Sequence, residues 1–312
     1  MNPPFISIVS PVYKAEKIVN ELIKRITDEV IHLTDRYEII LVEDGSPDNS
    51  WAEIAKNAAK DTHIKGIKLS RNFGQHFAIT AGLEHAKGDF VIVMDCDLQD
   101  DPVYFAQLYE QIKQGYEVVF TQKKQRKHSF FKNMTAKAYN AVFNYLIDNP
   151  NWDADSNVGA FSMLSRKVVD AYCQFGDYQR HYLSVIRWLG FSQTFVEIEH
   201  RARFEGASSY NFSKLMIHAI NGITSQSDKL LRINIVFGIF LSLSSFLAIL
   251  LIIFLYFTRG FMSGWASLMV TILFSTGILL TSLGVLGIYI GKTFEQTKNR
   301  PKYLVDIILN DS

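Results

Sequence analysis

Residues Phe90–Pro102 read FVIVMDCDLQDDP. The apolar run 90–94 is short, uninterrupted and bounded by polar residues, which predicts a strand buried on both faces. It leads directly into Asp95 and Asp97. Residues i and i+2 of a strand point to one side, so the spacing predicts that both carboxylates meet at the strand's end. Gln99, two residues further on, offers another oxygen. Asp100 and Asp101 precede Pro102 and read as the cap of the following helix.

The same grammar extends outward in both directions. Apolar runs predict further strands over 5–12, 37–43, 64–69 and 117–121, and helical spacing predicts helices over 16–30, 50–60, 75–85 and 103–114. Strands of this kind alternating with helices predict an α/β domain, a Rossmann-like, mostly parallel sheet covered on both faces. Ligands in such sheets sit beyond the carboxyl ends of the strands. Asp44, Arg71, Asn72, Asp95 and Asp97 all fall there, although Asp44 before Gly45 also suits a plain turn. The first strand ends in Pro11-Val12-Tyr13 instead of a glycine-rich loop, which argues against a nicotinamide dinucleotide site.

Two carboxylates close together repel unless a proton or cation lies between them. A hard divalent ion, Mg²⁺ or Mn²⁺, suits oxygen ligands and commonly keeps a substrate phosphate as a further one. Asp95, Asp97 and Gln99 therefore point to a divalent metal whose charge would neutralise a substrate phosphate.

The chain of 312 residues carries a formal net charge of +1, so it lacks the basic excess that would mark a nucleic-acid partner. Charge is absent from 235 to 257 and again from 260 to 291. Each stretch exceeds the roughly 20 apolar residues that a helix needs to cross a bilayer. Lys229 and Arg232 precede the first stretch, while Lys292, Lys298, Arg300 and Lys302 follow the second, and the short connection between them holds only Arg259. The positive-inside rule then predicts a multi-pass protein of the inner (plasma) membrane with both flanks in the cytoplasm.

The expected organisation is a cytoplasmic catalytic domain over 1–210, an amphipathic interfacial helix within 211–232, two transmembrane helices at about 235–257 and 265–290, and a cytoplasmic tail over 292–312. Met1–Ser10 lacks the basic and apolar regions of a signal peptide. Cys96 and Cys173 form neither a disulfide framework nor a zinc spacing. Gly287 and Gly291 make a G-x-x-x-G that suits close helix packing, within the hairpin or between subunits. The basic run Lys123, Lys124, Arg126 and Lys127, with Lys132 beyond it, suits a phosphate head group and anionic membrane lipid.

Seven stretches carry a resemblance: PVYKAE (Pro11–Glu16), VEDGSPDNS (Val42–Ser50), LSRNFGQHFAITAGLEHAKGD (Leu69–Asp89), DCDLQDDP (Asp95–Pro102), GASSY (Gly206–Tyr210), GVLGIYIGK (Gly284–Lys292) and NRPKY (Asn299–Tyr303). In this order, over nearly the whole chain, they resemble the polyprenyl-phosphate branch of family 2 inverting glycosyltransferases. That branch holds dolichol-phosphate mannose synthases, bacterial O-antigen glucosylation enzymes and aminoarabinose undecaprenyl-phosphate transferases. The resemblance implies a GT-A catalytic domain followed by a transmembrane hairpin. It implies transfer of a sugar from a nucleotide-sugar to polyprenyl (undecaprenyl) phosphate for cell-surface glycan such as lipopolysaccharide. It also implies that Pro11, Tyr13, Glu16 and Asp44 line the nucleotide pocket, that Arg71 lies near the donor, and that Asp95, Asp97 and Gln99 hold metal and diphosphate. Arg203 and Ser208 would lie at the acceptor phosphate with Lys123, Arg126 and Lys132, and the protein would assemble as a homo-tetramer.

The chain departs from its relatives at an informative place. The acidic residue that relatives commonly carry is Ala160 here, and the arginine that follows it is Ser162. Asp155, slightly upstream, is the substitute that the chain offers, ahead of Asp153. A phosphate monoester has a second pKa of about 6 and is largely a dianion at neutral pH, so it needs no base, whereas a sugar hydroxyl does. Two acceptors stay open on this reading: the lipid phosphate itself, or a saccharide already attached to a lipid. Lys14, Ser209 and Ile288 also depart from the common pattern and bear on substrate identity.

Overall fold

Strands β1 (Ile6–Val12) and β2 (Tyr37–Glu43) are buried at every position, as strands covered on both faces must be. The computed structural model describes residues 5–123, 158–178, 180–199, 227–259 and 264–311. Along the chain, α1 (Val19–Val30) separates β1 from β2, and α2 (Ser50–Ala58) leads to β3 (Ile64–Leu69). Next come α3 (Gln75–His85), β4 (Phe90–Val93), a single 3₁₀ turn (Pro102–Tyr104) that runs into α4 (Phe105–Lys113), and β5 (Val118–Lys123). After 158 the order is β6 (Val158–Ser165), α5 (Arg166–Gln174), α6 (Tyr182–Trp188) and β7 (Gln193–Ile198). Two long helices, α7 (Lys229–Arg259) and α8 (Trp265–Thr297), precede a last strand, β8 (Val305–Leu309).

The eight strands form one sheet in the order β7-β5-β6-β4-β1-β2-β3-β8. The pairs β1–β2, β1–β4, β2–β3 and β5–β7 are parallel. Strand β6 runs against both β4 and β5, and β8 runs against β3. Because successive side chains point to opposite faces, each strand feeds two cores. Ile8, Ile39, Leu41 and Ile92 pack on one side with Leu22 and Ile26 of α1. Val9, Ile40, Val42, Val91 and Val93 pack on the other with Ile79 of α3 and Tyr172 of α5. Helix α1 buries Val19, Leu22, Ile23, Ile26 and Val30, a spacing that keeps them on one stripe.

The stretch expected to be a cytoplasmic tail holds a strand of the sheet. β8 aligns Leu309 with Gly66, Ile308 with Ile67 and Ile307 with Lys68. The physical reason is that β3 presents an unpaired edge, and Val305, Ile307 and Ile308 are β-branched residues that suit it.

The chain divides into two units, one holding the sheet, its helices and the residues from Arg300 onward, the other holding α7 and α8. Both long helices are long and apolar enough to cross a membrane, over Lys229–Ile252 and Val270–Thr297. Their apolar side chains are exposed, as at Val236 and Phe257, which makes them a candidate membrane hairpin. Polar links join the arms: Ser282 Oγ donates to Asn234 Oδ1 at 2.9 Å, and Tyr289 Oη donates to the Ser227 carbonyl, just before α7, at 2.9 Å. A Cβ added at Gly287 or Gly291 would meet nothing within 4 Å among the described residues, so the G-x-x-x-G makes no close contact inside the hairpin.

Candidate active site

A cleft of about 300 Å³ opens beyond the carboxyl ends of β1, β2 and β4, lined by Pro11, Val12, Tyr13, Asp44, Asn72, Gly74, Gln75, Asp95, Cys96 and Asp97. Parallel strands that end together leave such a crevice, and the loops that follow them build its walls. A larger concavity, about 430 Å³, lies on the hairpin and is lined mainly by apolar residues around Asn234 and Ser282. No ionisable side chain lines it among the described residues, so the smaller cleft is the candidate active site.

The first wall is an interlock between the turn after β2 and the loop between β3 and α3. Asp44 is buried, and its carboxylate accepts N–H bonds from Phe73 (2.7 Å) and Gly74 (2.9 Å). Burial pushes its pKa up, and the two backbone donors work against that rise. Gly45 has φ 62°, and a Cβ there would stand 2.3 Å from the Asn72 amide nitrogen. Only glycine combines this left-handed geometry with that approach. The carboxylate of Glu43 accepts the Ser46 N–H, and Ser46 Oγ accepts the Lys14 N–H at 2.9 Å.

The loop after β1 is tied to the same turn. Glu16 accepts Asn49 N–H (3.2 Å) and Asn49 Nδ2 (3.1 Å) and is not part of the cleft lining. Tyr13 stays 45% exposed on the cleft, with the Lys14 ammonium 5.4 Å from its ring centre. That leaves a flat aromatic face open to a ligand.

The second wall carries the carboxylates. β4 stops at Val93, so Asp95 and Asp97 stand on a turn and strand alternation does not align them. The turn does so instead: Asp97 accepts the Gln99 N–H at 3.1 Å, and Leu98 takes φ 60° with its side chain buried. A non-glycine residue in that region is held there by its surroundings. Gln99 thus contributes its backbone, and its side chain is not part of the lining. Gln75 Nε2 donates to Asp95 Oδ1 at 2.6 Å, so the first residue of α3 orients the first carboxylate.

Asp101 does cap the following turn, accepting the Val103 N–H at 3.3 Å. Asp100 does not share that role. It is buried and accepts the Asp95 N–H at 3.2 Å, and burial followed by the charge of Asp95 pushes its pKa up to about 7. Burial likewise pushes the Cys96 thiol up to about 12, which leaves it a neutral filler against the core.

Of the residues expected at the site, the cleft gathers Pro11, Tyr13, Asp44, Asp95 and Asp97. Asn72, read from the sequence at the end of β3, lines it too, and the cleft adds Gly74 and Gln75 at the start of α3. Arg71 is exposed, its guanidinium 4.4 Å from the centre of the Phe73 ring, and does not line the cleft. Lys123 ends β5, half-buried. Arg126, Lys132, Asp155, Arg203 and Ser208 lie outside the described residues. Ala160 follows the start of β6. The antiparallel ladder between β4 and β6 ends at the pair Val93 and Ser162, two residues after Ala160.

The profile of glycosyl transferase family 2 matches residues 7–173. A glycosyltransferase of Bacillus subtilis, YkcC, is 36% identical over 301 residues, covering 96% of this chain and 92% of that protein. The chain belongs to glycosyl transferase family 2. This family 2 enzyme is also 33% identical, over 97% of its length and 94% of the other, to the undecaprenyl-phosphate 4-deoxy-4-formamido-L-arabinose transferase of Proteus mirabilis. Its sheet domain has the GT-A fold. It superposes on the mannosyl-3-phosphoglycerate synthase of Rubrobacter xylanophilus with a TM-score of 0.51 at 14% identity, covering 73% of this chain and 74% of that one.

Asp95 and Asp97 are the two carboxylates on one wall, and among the described residues no cluster of three or more His, Cys, Asp or Glu side chains is placed to hold a metal alone. That donor set fits Mg²⁺ or Mn²⁺ sharing its shell with water and substrate phosphate, as these ions commonly do. It does not fit a closed structural metal site.

Proposed function

We propose that this glycosyltransferase moves a sugar from a nucleotide-sugar, with inversion, onto polyprenyl (undecaprenyl) phosphate at the cytoplasmic face of the membrane. The observation that carries the reading is the placement of Asp95 and Asp97 on one wall of the cleft, opposite a loop anchored by Asp44. Similarity to an undecaprenyl-phosphate transferase over almost the full length of both chains supports the acceptor. The two apolar helices support a lipid partner, and the lysines and arginines outside them favour the cytoplasmic side.

In this reading Tyr13 offers its ring to the base, and Asp95 and Asp97 hold Mg²⁺ or Mn²⁺ together with the diphosphate. The metal, when bound, supplies positive charge to the departing nucleoside diphosphate. Gln75 keeps the Asp95 carboxylate aimed at the cleft through its 2.6 Å bond. A phosphate oxygen of the acceptor attacks the anomeric carbon as the bond to the diphosphate oxygen breaks, and the electron pair leaves with the nucleotide. Ala160 supplies no base, and the acceptor dianion needs none. Positioning matters more, since correct alignment alone lowers such a barrier by several kcal/mol, roughly 7–11 in favourable cases. Lys123, Arg126, Lys132, Arg203 and Ser208 are the proposed partners of the acceptor phosphate.

The test incubates purified protein with Mn²⁺ or Mg²⁺, undecaprenyl phosphate and a panel of radiolabelled nucleotide-sugars. Label in the organic phase supports the proposal. Label that appears only when a lipid-linked saccharide replaces the lipid phosphate assigns the enzyme to chain extension, with Asp155 as its base. Absence of any transfer with either acceptor would refute both.

A further inference from the structure

We infer that the carboxyl-terminal strand is a positioning element for one wall of the cleft, with Tyr303 and Asn310 as its anchoring residues. The inference concerns the geometry of the loop that precedes α3, and only its kinetic arm rests on the transfer proposed above. Contacts at four places carry it, all to one continuous segment, from the end of α2 to the end of α3.

At the lower end, Asn310 Nδ2 donates to Ala58 O (2.7 Å) and Ile64 O (2.9 Å), closing the connection into β3. Along the strand, β8 forms the ladder with β3, and the Lys68 ammonium lies 3.6 Å from the Asp306 carboxylate. At the upper end, Leu304 O accepts the Ser70 N–H at 2.9 Å. Beyond the loop, Tyr303 Oη donates to Glu84 Oε2 on α3 at 2.5 Å. Between those last two contacts lie residues 71–75, which supply Asn72, Gly74 and Gln75 to the cleft.

The loop is therefore gripped from two sides. Asp44 holds Phe73 and Gly74 from within, while β8 holds both ends of the segment from without. Without β8, β3 would be an open edge whose backbone groups faced water. The Ser70 N–H would lose its partner next to the loop, and Gln75 would orient Asp95 from a less constrained helix end. The strand is delivered by the stretch 298–304, directly after the second candidate membrane helix ends at Thr297.

The test uses the full-length protein in detergent, with Tyr303→Phe, Asn310→Ala and both together. Tyr303→Phe removes one hydroxyl and keeps the ring, so it preserves packing. Hydrogen–deuterium exchange is read on 70–77 and, as a reference, on 6–30. Each lost bond should raise exchange in 70–77 about fivefold while 6–30 stays unchanged. Kinetics use UDP-glucose or GDP-mannose, whichever the unmodified protein turns over. The nucleotide-sugar KM should rise about fivefold with kcat within about twofold, because the loop shapes binding.

Unchanged exchange in 70–77 for the double variant would overturn the inference, as would an equal rise in 6–30, which marks a general loss of stability. A unchanged KM beside faster exchange would also overturn the positioning role. If the unmodified protein transfers no sugar at all, the proposed reaction fails, and the exchange result alone decides this inference.

Discussion

Substituting Gly45 by alanine tests the interlock that shapes the cleft. Its φ of 62° costs an L-residue about 1–2 kcal/mol. The added Cβ would stand 2.3 Å from the Asn72 nitrogen and 2.5 Å from the Arg71 carbonyl carbon. Both are backbone atoms, so no side-chain rotation relieves the overlap. Overpacking of this kind typically adds about 1–3 kcal/mol, for an expected loss of about 2–5 kcal/mol. Relief requires moving 71–74 away from the turn, which stretches the 2.7 and 2.9 Å bonds that Asp44 makes to Phe73 and Gly74. A shift of about 1 Å at a reacting centre can cost about 100-fold in rate.

Gly190→Ala is the matched control, because Gly190 has φ 72° and the nearest atom to its added Cβ is Trp188 O at 3.9 Å. It should lose only the backbone component, about 1–2 kcal/mol, and keep its kcat/KM. Urea midpoints and steady-state kinetics of the full-length proteins read both quantities. Gly45→Ala should be at least about 1 kcal/mol less stable than Gly190→Ala and at least about tenfold lower in kcat/KM. Equal stabilities with kcat/KM unaltered in both would refute the interlock.

Asp95→Asn and Asp97→Asn should each lower metal-dependent turnover by about 100-fold or more, with EDTA abolishing wild-type activity and Mn²⁺ restoring it; unchanged Mn²⁺ titration curves would contradict the assignment. Gln75→Leu removes the 2.6 Å bond to Asp95 and should raise the Mn²⁺ concentration for half-maximal activity about tenfold, as loss of an outer partner does in metal sites. A wild-type Mn²⁺ requirement would show that Gln75 only fills space. Burial pushes the thiols of Cys96 and Cys173 up to about 12 and about 11. Both should therefore resist iodoacetamide at pH 8 in the native protein and react quickly in urea, a contrast that mass spectrometry reads directly. Rapid native labelling of Cys96 would mean that the turn around it is open.

Much of this was legible in the sequence because it rests on local or periodic signals. The uninterrupted apolar runs at 37–43 and 90–94 announce strands covered on both faces, and the charge-free stretches announce helices long enough for a bilayer. Asp44, Asp95 and Asp97 are legible as site residues because strand ends converge in a sheet of this kind. The role of Asp100 was not legible, since a cap and a buried anchor share the pattern of an acidic residue before proline. Only burial and the bond to the Asp95 N–H separate the two. Gln75 was missed for a related reason: nothing in its neighbours marks a helix-start glutamine as the partner of a residue twenty positions away.

The sequence by itself determined the class of fold, the family and the carboxylate pair, because apolar periodicity and short motifs are properties of contiguous residues. Tertiary structure alone decided how those carboxylates are aimed, which backbone amides Asp44 holds, and that the final strand closes the edge of β3. These are contacts between segments far apart in the chain, as between Tyr303 and Glu84. Their energy depends on distance and burial, neither of which is written in the order of residues.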